Sequence, residues 1–594
     1  MTAPTFYERR VSSLEQRHKK LVQKRMAYSW LRFACIAAII GVFYFLMPDW
    51  AILGPFAFAL LIVFRMLIYR DIANKAAIAH NAELIKINEA EIKALNHQYD
   101  SFNDGSQHSM HEHFYANDMD IFGPASLFRF LNRTSSEMGS AQLANWLLHP
   151  AHKDEIPERQ EAIRELSTKI EWLQNLQAFG KESSVNMLTY NRLQHWLYEP
   201  ASLTWKHLKW LRWALPAISI SVSLATIFDY MPLNVFYMVM LAMAVIAFRL
   251  EKNVQLIHTR LGKMVDELKT LSRSIAWIEK EKFKSPLLQQ LQREYNQRYN
   301  TASQNIQLLE KILDRLDLRF NIVLAVPLNL LFLWNLQQCL ELEKWKKNHD
   351  ADVNHWFNNL GIFEALGSFA VVYFNNPGWT FPALKQDHFF IEGLNMGHPL
   401  IKADKRVNNF ISINDKASIM LVTGSNMAGK STYLRSVGIN VILAMAGSPV
   451  CADKFILSPV QLLSSMRIAD NLEESTSTFY AELKKLKTVI DKVNSNERVF
   501  ILLDEILRGT NSLDRHAGSE ALIKQLIKKE AAAIIATHDV ALASLENTYP
   551  DNIQNYHFDV QVSQEELYFD YALKPGVCTS MNASILMKKI GIEM

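Results

Sequence analysis

Apolar positions in this chain are arranged in three different ways. The first is the long uncharged run. Phe33 to Met47 carries no charge, and beyond Pro48-Asp49-Trp50 a second run extends from Ala51 to Val63 and, past Arg65, to Tyr69. A similar pair, Trp213 to Phe228 and Leu233 to Phe248, is divided by Asp229-Tyr230-Met231-Pro232. Each run approaches the roughly 20 residues that cross a bilayer as a helix. The pattern therefore predicts two helical transmembrane hairpins, four spans in all, with two buried core hairpins as the alternative. A fifth apolar stretch, Asn321 to Trp334, is shorter and includes Asn321, Pro327 and Asn329. It is expected to be a packed core helix, since a fifth crossing would move everything downstream to the other side of the membrane.

The second arrangement is helical. Val254, Ile257, Leu261, Met264, Leu268, Leu271, Ile275 and Ile278 alternate spacings of three and four, a heptad seam. Ser285-Pro286 interrupts it. Ala302, Ile306, Leu309, Leu313, Leu316 and Phe320 form a second seam. Two seams about a proline turn suggest a long antiparallel arm; two amphipathic helices of an ordinary bundle are the alternative. The third arrangement is the short apolar strand with polar residues at its end, found only in the last third of the chain.

Charge orients the hairpins. Arg9, Arg10, Arg17, Lys19, Lys20, Lys24 and Arg25 precede the first run, and Arg65, Arg70 and Lys75 flank or follow the second. Lys206, Lys209 and Arg212 precede the third, while Arg249 and Lys252 follow the fourth. Neither tip holds Lys or Arg. The positive-inside rule then places the N-terminus and all large segments in the cytoplasm, around an inner-membrane anchor. Arg65 is expected to snorkel to the interface. The chain of 594 residues has a formal net charge of only +3, so no global basic field argues for nucleic acid. Cys35, Cys339, Cys451 and Cys578 are scattered without a C-x-x-C, which suggests neither zinc nor a disulfide framework.

The strand-rich region carries the chemistry. Gly424-Ser425-Asn426-Met427-Ala428-Gly429-Lys430-Ser431-Thr432 fits G-x-x-x-x-G-K-[ST]. Its glycines let backbone N–H groups turn toward an anion. Lys430 can reach the β- and γ-phosphates of ATP, and Ser431 can ligate Mg²⁺. The flanks read as a buried strand, Ala417 to Val422, and a helix, Tyr433 to Met445, whose N-terminus favours phosphate. Val499 to Leu503 reads as an apolar strand ending in Asp504-Glu505. Asp504 suits the Mg²⁺ shell, and Glu505 can orient and deprotonate the attacking water. Ile534 to Thr537 ends in His538, placed for a hydrogen bond to the γ-phosphate or its water. Within Asp470 to Leu483 a hydroxyl-rich turn opens a helix; its hydroxyls, Ser477 and Thr478 among them, either cap it or receive a phosphate, which could belong to another subunit.

Together these residues resemble the MutS family of DNA mismatch-repair ATPases, a branch of the ABC ATPases. The resemblance rests on Gly424 to Arg435, Ser477-Thr478-Phe479, Leu503-Asp504-Glu505-Ile506-Leu507-Arg508-Gly509-Thr510 and Ala536-Thr537-His538. Gly397-His398-Pro399-Leu400 matches the element just before the family's ATPase core, and Phe128 to Ala162 resembles the start of its helical lever domain. The likeness runs from about Asp118 to the C-terminus, interrupted by the second hairpin.

It implies a homodimer with composite ATP sites, with Asn426, Lys430 and Ser431 acting in cis and Ser477 and Thr478 facing the partner's γ-phosphate in trans. His538 would sense that phosphate, and Arg508-Gly509-Thr510 would link the site to the dimer interface. ATP would open and close the arms, and DNA is the partner the family implies. Ser425 and Ala428 replace the family's usual Pro and Gly without removing a phosphate contact. The family's mismatch-reading and nuclease domains are expected to have no counterpart, and Phe6-Tyr7-Glu8 only echoes its Phe-x-Glu wedge.

The expected fold is multidomain α plus α/β: transmembrane hairpins, a helical lever and arm domain, and a C-terminal ABC-type P-loop ATPase. The expected segments are 1–30 (basic N-terminus), 31–69 (hairpin 1), 70–208 (lever and core), 209–249 (hairpin 2), 250–390 (arms and core) and 391–594 (ATPase). The expected function is a membrane-anchored, DNA-binding ATPase. The alternatives are a membrane mechanochemical ATPase acting on a protein partner, and a scaffold whose dimerisation ATP controls.

Overall fold

A computed structural model describes residues 2–46, 50–110, 112–200, 208–296, 300–386, 389–414, 418–425, 428–466, 478–495, 497–563 and 566–578. Helices α1 (Ala3–Leu46) and α2 (Trp50–Leu95) form the first hairpin. At 1.5 Å per residue each is about 66–69 Å long, more than twice the roughly 30 Å hydrocarbon thickness. Their outer halves expose apolar side chains, among them Phe33, Ile40, Tyr44 and Phe45. Their inner halves are part of the protein body. Asn74 donates to the Leu21 carbonyl at 3.0 Å and Asn81 to that of Leu14 at 2.9 Å, polar pins that hold the pair in register.

The expected basic N-terminal segment is therefore not separate. Tyr7 is fully buried, packs edge-on to Phe6 and Phe374, and donates to Asn375 at 2.8 Å. The Phe-x-Glu echo is a core contact.

The body is a helical bundle. Its elements include α3 (Glu137–Leu148), α4 (Glu155–Ser167) and α5 (Ile170–Glu182). The second hairpin, α6 (Leu208–Ile227) and α7 (Leu233–Leu261), passes through one 3₁₀ turn into α8 (Val265–Lys280). Pro286 opens the next helix at its first turn, where the sequence places the break. Then come α9 (Ala302–Asp317), α10 (Ile322–Phe332), α11 (Trp334–His349) and α12 (Asp352–Asn375). Helices α8 and α9 run antiparallel, with Glu279 accepting from Ser303 at one end and Lys269 near Asp314 further along. Their seams are buried, but within the core that holds Trp356, Phe363 and Leu366. At 16 residues each they are bundle helices and not a long arm.

Helix α10 corrects the expectation of a packed core helix. None of its residues is buried, and Ile322 and Val323 are each 75% exposed. It lies against α6 and α7, with Ser219 donating to the Leu330 carbonyl at 3.1 Å. Its asparagines need no core. Asn321 caps the helix by accepting from the Val323 N–H, and Asn329 bonds the Ala325 carbonyl and the Asn335 N–H. Leu333, at φ 49°, then bends the chain 77° into α11. Among the described residues four helices are long and apolar enough to cross a membrane, but one of them, α12, is mostly buried in the body.

The last third is α/β. A six-stranded sheet has the order β10 (Glu566–Pro575), β9 (Ile553–Ser563), β4 (Ile419–Thr423), β8 (Ala532–Thr537), β7 (Val499–Asp504), β6 (Gln461–Ser465). Neighbours are parallel except for the β9–β10 hairpin. Strands β4, β7 and β8 are buried throughout, which explains their unbroken apolar sequences. A smaller sheet, β1 (Ala383–Leu384), β5 (Lys454–Leu457), β2 (Phe390–Met396), β3 (Asn409–Asn414), flanks it. The buried Asp118 joins bundle to sheet, accepting from Ser464 at 2.7 Å and from the Met466 N–H at 3.2 Å.

Candidate ATPase site

Register brings the chemistry to one sheet edge. Thr423 pairs with Thr537 across β4 and β8, and Asp504 with Ala536 across β7 and β8. Three strand ends thus point the phosphate loop, Asp504-Glu505 and His538 into the same crevice, the usual ligand position in parallel sheets. Helix α13 (Lys430–Ala446) starts directly at the loop. Gly424 and Gly429 have positive φ, 151° and 106°. A Cβ on Gly424 would stand 3.0 Å from the Phe558 carbonyl, and one on Gly429 3.1 Å from the Tyr571 ring. Only glycine fits the first position without shifting backbone.

Lys430 is buried and donates to the Gly424 and Ser425 carbonyls at 2.8 and 3.0 Å, with His538 Nε2 at 3.3 Å. Burial lowers its pKa, opposed by the nearby Glu505 and Asp504 carboxylates. Ser431 donates to Asp504 Oδ2 at 2.5 Å. The other carboxylate oxygen, Asp504 Oδ1, is buried without a protein partner. A hydroxyl and a carboxylate in contact, one oxygen unsatisfied, are the donor set a hard divalent cation prefers, so these residues fit Mg²⁺.

Glu505 bonds His538 Nε2 at 2.5 Å and Arg508 Nε at 3.0 Å. The His538 hydrogen bond, acting against burial, lowers the Glu505 pKa. Glu505 and Leu507 both have positive φ, 51° and 61°, so the turn after β7 is strained at the crevice. Ser425 is half-buried, Ala428 is buried and Thr432 is exposed on the first turn of α13. Asn426, Met427 and Ser477 lie outside the described residues. Thr478 opens α14 (Thr478–Asn494).

Two contacts escaped the sequence reading. His516 of α15 (Ser512–Lys528) bonds Asp539 at 2.6 Å, tying that helix to the loop after His538. Tyr571 is carried to the phosphate loop by an irregularity in the β9–β10 pairing between Phe569 and Leu573. Its ring stacks on Phe569 and it is 46% exposed. The sequence shows there only an alternating aromatic strand.

The MutS domain V family profile matches residues 420–590, the span that contains this crevice. A mitochondrial DNA mismatch repair protein mutS homolog of Sarcophyton glaucum is 35% identical over 35% of this chain and 22% of its own length. MutS protein homolog 4 of Homo sapiens is 31% identical over 31% of this chain and 20% of its own. The DNA mismatch repair protein MutS of Persephonella marina is 31% identical over 39% of this chain and 27% of its own. The chain thus spans between a fifth and about a quarter of the length of these relatives. This C-terminal region, with its phosphate loop and paired carboxylates on adjoining strand ends, is thus similar to domain V of the MutS family.

Proposed function

We propose that this protein is a membrane-anchored ATPase that hydrolyses ATP to ADP and phosphate and works as a homodimer on DNA. The observation that carries the ATPase reading is the Lys430, Ser431, Asp504, Glu505 and His538 cluster at one sheet edge. Phosphate entering the loop exchanges for the carbonyls Lys430 now holds, so the ammonium moves from a neutral partner to an anionic one. Mg²⁺ held by Ser431 and Asp504 supplies charge neutralisation at the phosphates. Glu505 acts as base only after it leaves His538 and Arg508. While it is tied to them, its lowered pKa makes it a poor proton acceptor. His538 released in this way can donate toward the γ-phosphate. Ser477 and Thr478 complete the partner's site in this reading, and Tyr571 offers an aromatic face beside the loop for the base.

The membrane reading is supported by the exposed apolar outer halves of α1, α2, α6 and α7, with α10 as a re-entrant helix. An eleven-residue helix of about 16 Å is too short to span. It therefore leaves four crossings and the ATPase on the cytoplasmic side. DNA comes from the relatives' printed roles in mismatch repair. A mechanochemical role on a protein partner is favoured by one observation: α2 and the α7–α8 rod run unbroken or nearly so from apolar outer ends into the bundle.

The deciding experiment is ATP turnover and duplex-DNA retention by full-length protein across salt concentrations and nucleotide states. Hydrolysis with steeply salt-dependent retention is expected. Retention that is absent at low salt in every nucleotide state removes DNA and leaves the mechanochemical reading. Absence of turnover removes the ATPase. Reactivity of cysteines introduced at the hairpin tips toward impermeant reagents from one side only tests the topology.

A further inference from the structure

The cross-helix contacts of the first hairpin fix which residues share a height. Leu21 lies level with Asn74, Leu14 with Asn81, and Cys35, which donates to the Leu60 carbonyl, with residue 60. By the same register Lys20 lies level with Lys75, Arg25 with Arg70, and Trp30 with Arg65. Trp30 is 72% exposed and Tyr69 76%. They form an aromatic girdle about 6 Å deep, Tyr69 level with residue 26, just below the uncharged apolar run that begins at Phe33. Arg25 and Arg70 sit about 7.5 Å below Trp30, and Lys20 and Lys75 about 15 Å below.

The charge here is concentrated. Residues 16–32 and 65–82 contain Arg17, Lys19, Lys20, Lys24, Arg25, Arg32, Arg65, Arg70 and Lys75 against a single acid, Asp71. That acid is paired with Arg32 at 3.0 Å. Nine cations against one anion give +8, while the whole chain carries +3, so all remaining residues sum to −5. Eight of the nine cations are exposed. The second hairpin is built differently. At its root Arg212 pairs with Glu341, Arg260 with Glu199 and Arg319 with Glu251.

We propose that this collar, Lys20, Lys24, Arg25, Arg70 and Lys75 with Tyr69 at its upper rim and Trp30 and Arg65 above it, is a docking surface for anionic phospholipid headgroups. The proposal rests on the membrane reading given above and adds a lipid class to it. A duplex-DNA occupant is disfavoured by position. The girdle and the apolar half directly above set the collar within one to two Debye lengths of a headgroup plane, where cations attract anionic lipid most strongly. Because α1 and α2 continue into the bundle, an anionic surface would hold the body at a fixed height and fix the end of the hairpin against which the bundle moves.

The test uses full-length protein in nanodiscs of mixed phosphatidylcholine and phosphatidylglycerol, with each lipid spin-labelled in turn. The motionally restricted fraction gives the relative association of the two. The expected wild-type preference for phosphatidylglycerol is on the order of fivefold at low salt, the factor one surface cation contributes, and it falls as salt rises. Lys20→Gln, Lys24→Gln, Arg25→Gln, Arg70→Gln and Lys75→Gln combined should bring it to parity without altering ATP turnover. The charge-preserving Lys→Arg and Arg→Lys set should retain it. No preference in wild type, or one that survives the glutamine set, overturns the proposal. So does a glutamine set that keeps its lipid preference but loses duplex-DNA retention, which would make the collar a nucleic-acid surface. Wild type released from vesicles by carbonate would instead overturn the membrane reading itself.

Discussion

Replacing Glu91 by Ala tests how the hairpin is joined to the bundle. Glu91 lies on the inner half of α2 and accepts from both Nε and Nη2 of Arg133, each side chain being 4% exposed. It also accepts from Asn375 at 2.9 Å. Arg133 keeps the Phe130 and Asn132 carbonyls and stacks 4.0 Å above Phe102. Without Glu91 the guanidinium has no counter-ion and the Asn375 amide loses its acceptor. Breaking a buried pair from one side costs about 3–5 kcal/mol. In so large a chain a single global unfolding energy is ill-defined, so the measurement is local. Hydrogen exchange over residues 80–95 should speed up by between about a hundredfold and several thousandfold, the same energy expressed as an opening constant. Glu91→Leu with Arg133→Met removes both charges and should recover at least about 2 kcal/mol of the loss. A single variant that exchanges within threefold of wild type would refute this reasoning. So would a double variant as damaged as the single.

Lys430→Ala should weaken ATP binding at least about a hundredfold by calorimetry, since a charged hydrogen bond in a buried site contributes about 1.5–3 kcal/mol and two phosphates share this one. Glu505→Gln should bind ATP as wild type does while turnover falls about 10²- to 10⁴-fold; unchanged turnover would remove Glu505 as base. Tyr571→Leu should raise the ATP dissociation constant about three- to tenfold, the worth of an aromatic stack, and affect triphosphate alone far less. ATP affinity should decline with rising pH before the ordinary lysine range is reached. Burial lowers the Lys430 pKa, the neutral amine cannot pair with phosphate, and Lys430→Arg should abolish the decline.

Local patterns settled much of this protein. The phosphate loop, the strand before it and the helix after it are legible because each is a contiguous stretch with one dominant constraint: glycines at positive φ, an apolar run, a helix start. The hairpins and the proline break were legible for the same reason. Where the sequence misled, a local signal had two physical outlets. Asn321 and Asn329 read as interior polar groups, yet both are satisfied within their own helix and its flanks, so α10 needed no core. The heptad seams are buried from Leu261 to Ile278 and from Ala302 to Leu316, while Phe320 at the end of the second is 67% exposed, and a seam states only that one helix face is buried. Its partners, the shared core around Trp356 and Phe363, are set by chain segments 40 to 100 residues away.

The sequence by itself determined which residues are candidates for phosphate chemistry and where the long apolar runs lie, because both follow from side-chain type and short spacing. Only the tertiary structure decided that Lys430, Asp504, Glu505 and His538 meet, that Tyr571 leans on the loop, and that Tyr7 and Glu91 fasten the first helical hairpin to the bundle. Those contacts join residues up to 368 positions apart, as between Tyr7 and Asn375, and sheet register and helix packing fix them where spacing along the chain does not.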